Sequence, residues 1–145
     1  MQFDLESPVV ALCIAGMQVD GTPEVARALF EQAWSACCDD YEASIAAHFL
    51  ARHQETPAEA LAWNLLAVRH AEAVPDAAAE LMASLYLNLG DSYVATAQSE
   101  LAMTAAERAT AHLAALPLSG YRAFVEMGIR GLRERIERIN VPLAS

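Results

Sequence analysis

Three places in this chain join a hydroxyl residue to proline: Ser7-Pro8, Thr22-Pro23 and Thr56-Pro57. A hydroxyl caps the free amides of a first helical turn, and proline, which has no amide hydrogen to lose, is at home just inside it. Glu59, three residues after Thr56, completes a capping box. Further starts are expected at Asp40, at Asp76 after Pro75, and at Ser119 after Pro117. Every apolar segment between these starts repeats at three or four residues, and none alternates with period two. The spacing predicts helices over 8–18, 23–37, 41–53, 57–73, 76–95, 98–115 and 119–138, with loops too short for anything but antiparallel neighbours. The expected class is all-α.

Composition agrees. The sequence holds 31 Ala and no Lys, so all nine basic charges are Arg, and both Ala and Arg are strong helix formers. Its 145 residues are the length of one domain, read here as 1–145, and suffice for a core without disulfides or a structural metal. The net charge of -10 is uneven: residues 1–116 carry four Arg against sixteen acids, and residues 117–145 five Arg against three acids. An acidic body repels phosphate backbones, and no basic patch with interleaved aromatics offsets it, so nucleic acid is not an expected partner. The first residues lack a basic stretch followed by an apolar run, and no stretch approaches the roughly 20 apolar residues of a membrane span, so no membrane partner is expected. The odd set Cys13, Cys37 and Cys38 fits a reducing, cytoplasmic setting.

An internal period separates a repeat stack from an ordinary bundle. Tyr86-Leu87-Asn88-Leu89-Gly90-Asp91-Ser92-Tyr93, followed by Ala102, Ala106 and Ala109, places an aromatic, Leu-Gly and Tyr on one helix and spaced small residues on the next. Ala60 and Ala67 repeat the second-helix pattern in a middle unit, with His48 where the first helix would have Gly; Gly16, Ala26, Phe30 and Ala33 do so in a first unit. Ala26 to Ala60 spans 34 residues and Ala60 to Ala102 spans 42, an eight-residue insertion read as two extra helical turns that lengthen 57–73 and 76–95. This pattern resembles the tetratricopeptide repeat family, and the chain is similar to its short actinobacterial members. The resemblance covers residues 8–116 as repeats over about 8–38, 40–74 and 76–116, with His48 and Asn64 departing from the usual small and aromatic residues. It implies a right-handed α-solenoid of three helix pairs closed by a capping helix. That cap, 119–138, is expected to turn Tyr121, Phe124, Val125, Ile129, Leu132, Ile136 and Ile139 inward.

The resemblance also implies a concave groove lined by the first helix of each pair, which puts Cys13, Met17, Ile45, Phe49, Arg52, His53, Ser84, Leu87, Asn88 and Asp91 on or near it. The expected role is protein interaction, with an unidentified protein or peptide as partner. Family members that grip chaperone carboxylates use cations and Asn at positions held here by Cys13, Met17, Ala46, Ser84 and Asn88, of which only Asn88 matches, so a carboxylate clamp is not expected. Trp34 and Trp63 are read as core between repeats. Cys37, Cys38 and His48 match no zinc-ligand spacing, no two of His48, His53, His70 and His112 lie three or four apart, and there is no phosphate loop or nucleophile elbow. The sequence therefore assigns no catalytic residue, metal or cofactor. An alternative is a small-molecule-binding or enzymatic helical domain with a pocket around His48, Arg52, His53, Asn88 and Asp91; a third possibility is a homo-oligomer.

Overall fold

The computed structural model describes residues 3–140, and these form seven α-helices and a short 3-10 turn. The helices are α1 (Pro8–Gln18), α2 (Pro23–Ser35), α3 (Asp40–Ala51), α4 (Pro57–Ala73), α5 (Met82–Ala95), α6 (Ser99–His112) and α7 (Gly120–Asn140), with the 3-10 turn Leu113–Ala115 between the last two. Proline opens α1, α2 and α4. Ser7 accepts from the Val10 amide at 3.3 Å and Thr56 from the Glu59 amide at 3.2 Å, whereas the Thr22 side chain caps nothing. Asp39 rather than Asp40 caps α3, accepting from the Glu42 amide at 2.8 Å. Helices α2 and α3 end two residues short of the sequence expectation because their last amides turn to carbonyls three residues back: Cys37 to Trp34 at 3.3 Å and His53 to Leu50 at 3.1 Å.

One expected helix is corrected. Residues 76–81 do not extend α5 but form a series of turns, although Asp76-Ala77-Ala78-Ala79-Glu80-Leu81 reads locally as helix. The Ala78 amide is taken by the Val74 carbonyl at 2.9 Å, across Pro75, and the Leu81 amide by Ala78 at 2.8 Å. Following these bonds, the segment folds Ala78 and Leu81 into the core. Of the two helices expected to be lengthened, α4 has the expected span and α5 is shorter, starting at Met82 after a compact turn.

The most extensive interfaces join α1 to α2, α3 to α4 and α5 to α6, with lesser ones linking each pair to the next. Alanines without exposed surface, among them Ala26, Ala33, Ala46, Ala47, Ala71 and Ala109, let the backbones approach closely, while Phe30, Ile45 and Leu50 fill the wider spaces. Gly16 is small of necessity, since a Cβ there would run into the Phe30 ring. At Gly90 the obstacle is Leu132 of α7, with Ala105 Cβ and the Ala102 carbonyl at 3.5 and 3.6 Å. Helix α7 lies on α5 and α6, burying Val125, Ile129, Leu132 and Ile136. Full burial of each such side chain contributes about 1.5 to 3 kcal/mol. Phe124 and Ile139, expected in that inward stripe, are instead exposed, Phe124 by 71%. The buried residues of α7 are spaced by four, three and four, and Phe124 falls one position off that line.

Two polar features fix connections between helices. Glu42, only 8% exposed, accepts from the Ser7 hydroxyl and, at 3.0 Å, from the Cys38 amide, which pins the start of α1 to the α2–α3 connection. Helix α5 closes in a Schellman motif, with the Gln98 amide on the Tyr93 carbonyl at 2.8 Å, the Ala97 amide on Val94 at 3.1 Å, and Ala97 in the left-handed region at φ 60°.

A candidate binding groove

Helix α5 places Ser84, Leu87, Asn88 and Asp91 on one face by their spacing of three and four residues. Opposite that face, the ends of α1 and α3 bring Met17, His48, Phe49 and Arg52, and α7 brings Tyr121, Phe124 and Val125. With Phe3 these residues enclose a cavity of about 430 Å³. Its walls are largely apolar, from Phe3, Met17, Phe49, Leu87 and Phe124, with two fixed polar pairs among them. The Asn88 amide nitrogen sits 3.0 Å from His48 Nδ1, and the Ser84 and Tyr121 hydroxyls are 3.0 Å apart.

The His48 ring packs edge-on against Phe49 at 4.9 Å, and this burial, with Arg52 nearby, pushes its pKa down to about 4. A neutral ring accepting from Asn88 at Nδ1 carries its proton on Nε2. His48 is therefore a neutral hydrogen-bonding group of the cavity at physiological pH.

A second, more polar cavity of about 420 Å³ adjoins the first and shares Arg52 and Asn88 with it; Gln54, Thr56, Asn64, Asp91 and Ser92 are among its other walls. Asn64, 7% exposed, donates to the Ser92 hydroxyl at 2.7 Å and to the Asn88 carbonyl at 3.4 Å. The two departures from the repeat pattern thus converge: His48 from α3 and Asn64 from α4 both bond to Asn88 of α5. Asp91 pairs with Arg135 of α7; burial raises its carboxyl above the usual range and the guanidinium opposes that rise.

Six of the ten expected groove residues, Met17, Phe49, Arg52, Ser84, Leu87 and Asn88, line the first cavity. Ile45 does not: at 2% exposure it belongs to the main hydrophobic core. His53 packs tilted against Phe30 with centroids 5.2 Å apart and lies 3.3 Å from Asp20, while Asp91 opens on the second cavity. Cys13 is buried, and burial followed by the neighbouring Cys37 lifts its thiol to about 12. Trp34 and Trp63 meet edge to face at 5.0 Å, both half-buried against the core. The sequence missed Phe3, Tyr121, Phe124 and Val125 as groove residues. For Phe124 the offset from the α7 stripe is the available signal; for Phe3 there is none, since it precedes the first helix.

Among the described residues no three His, Cys, Asp or Glu are arranged to hold a metal, and no helix is long and apolar enough to cross a membrane. No protein-family model, no curated protein and no solved structure matches the chain. Fold and site together define an all-α protein of paired helices with an amphipathic groove between its first-helix faces and its last helix.

Proposed function

We propose that this chain is a tetratricopeptide-type interaction module that takes a peptide segment of a partner protein into the groove, an apolar side chain entering the cavity between α3, α5 and α7. The observation that carries this reading is that cavity's composition: apolar walls, two preset polar pairs and an exposed aromatic, Phe124, at its mouth. Apolar anchoring with a few orienting hydrogen bonds is the usual chemistry of peptide grooves. Its one cationic wall residue, Arg52, is engaged 3.6 Å from Asp20, which supports a partner other than a carboxylate tail. The pocket-enzyme alternative is less well supported, because no one cavity gathers all five of its residues: His48 lines the first, Asp91 the second and His53 a third, with Arg52 common to all three and Asn88 to the first two. Three free cysteines favour a reducing, cytoplasmic setting for the interaction.

Selection of a random peptide display library on the immobilised protein tests this. Recovered peptides are expected to share an apolar position, and their affinity, read by fluorescence anisotropy, is expected to fall about tenfold in Phe124→Ser, as for loss of an aromatic anchor. The exposed Arg27→Ala is the control. A library that yields no binder, or binders indifferent to Phe124, overturns the proposal.

A further inference from the structure

The face of α5 turned away from the groove carries Tyr86, Leu89 and Tyr93, and α4 and α6 part over it to leave a crevice of about 310 Å³. Leu65 and Val68 of α4 add to its apolar floor, and its charged walls are Arg69 and Glu72 of α4 and Arg108 of α6. Residues 1–116 contain four Arg. Arg27 pairs with Glu31 at 3.1 Å and Arg52 with Asp20 at 3.6 Å. Among the described residues neither Arg69 nor Arg108 makes an ion pair, and both line this crevice.

Glu72 does not neutralise them at ion-pair distance. Its carboxylate accepts the Tyr86 hydroxyl; the Tyr86 ring stacks on the His112 ring at 5.6 Å, and the Arg108 guanidinium lies 5.9 Å from its centroid and donates to the Tyr86 hydroxyl, which leaves its other N–H donors facing the crevice. The crevice is therefore an apolar slot with a local excess of positive charge in an otherwise acidic body. Its volume lies at the small end of the range for small-molecule sites, about 300 to 1,000 Å³.

We propose that this crevice binds a small amphiphilic carboxylate, its alkyl or aryl part on Leu65, Val68 and Leu89 and its carboxylate oxygens accepting N–H bonds from Arg69 and Arg108. Guanidinium groups suit this ligand because their paired donors match the planar carboxylate. The site is independent of the groove, so either proposal stands or falls without the other.

The test is titration of the full chain with 4-phenylbutyrate, its neutral counterpart 4-phenylbutan-1-ol and the cationic 4-phenylbutylamine, followed by calorimetry and amide shift perturbation. The carboxylate is expected to bind about tenfold more tightly than the alcohol, the amine not at all, and added salt to narrow the difference. Arg69→Gln and Arg108→Gln, both at exposed positions, are each expected to weaken the carboxylate severalfold while leaving the alcohol unchanged. Far-UV circular dichroism verifies that these variants keep their helices. Equal binding of carboxylate and alcohol, indifference to both Arg substitutions, shifts that map to the groove, or no binding at all would each overturn the inference.

Discussion

Replacing His48 by Gln isolates how much stability the protein loses when a neutral ring must be protonated. The glutamine carbonyl can accept from the Asn88 amide as His48 Nδ1 does at 3.0 Å, so the variant keeps the bond and removes only the titration. Burial, and then Arg52, push the ring from its ordinary 6.5 to about 4. Above the ordinary value both folded and unfolded chains are neutral here and the ring adds no pH dependence. Below it the unfolded chain takes up the proton first, so stability falls with decreasing pH until the folded value is reached. At about 1.4 kcal/mol per pH unit, the whole interval is worth about 3 kcal/mol, of which about 2 is lost by roughly pH 5. Urea denaturation of both proteins at roughly pH 8 and pH 5 measures the difference, and the other histidines cancel between them. The wild type is expected to lose about 2 kcal/mol more than His48→Gln on acidification. Equal losses in the two proteins would refute the assignment of His48 as a buried neutral acceptor.

Three other outcomes follow from the packing. Phe30→Ala removes a buried ring stacked on Phe49 at 5.1 Å and is expected to cost about 3 to 5 kcal/mol in urea melts. Ala97→Gly relieves a left-handed backbone at an exposed Schellman position, φ 60°, and is expected to raise stability by up to about 1 kcal/mol. Gly90→Ala drives a methyl group into Leu132, so hydrogen-exchange protection in α7 is expected to fall, and Gly90→Ala combined with Leu132→Ala is expected to lose less than the sum of the two separate losses; a single variant with unaltered α7 protection contradicts the close contact.

Local signals were legible where local chemistry decides. Ser7, Thr56 and the three hydroxyl-proline steps mark helix starts that the structure keeps, and Gly16 faces a large ring. Residues 76–81 were misread because alanine propensity is a weak preference that a competing set of turn bonds from Val74 and Ala78 overrides. The position of α7 was legible only as a cap. Its contacts with the groove face, Tyr121 with Ser84, Gly128 against Leu87 and Arg135 with Asp91, join residues remote in sequence, and no local pattern encodes them. The same holds for His48 and Asn64. Each looked like an isolated irregularity in its own repeat, and their common partner Asn88 is apparent only once three helices are assembled.

That polar seam has a consequence for how the helices find their alignment. Alanine surfaces such as Ala43, Ala46, Ala47 and Ala51 on α3 are nearly smooth, and apolar contact alone distinguishes poorly between one placement of such a helix and another displaced by a turn. Displacement of α3 would break the His48–Asn88 bond, and displacement of α4 would strand the buried Asn64 amide without an acceptor, a penalty of about 1 to 3 kcal/mol. His48 and Asn64 therefore act as a key in a keyway, admitting a single docking of the α3–α4 pair against α5.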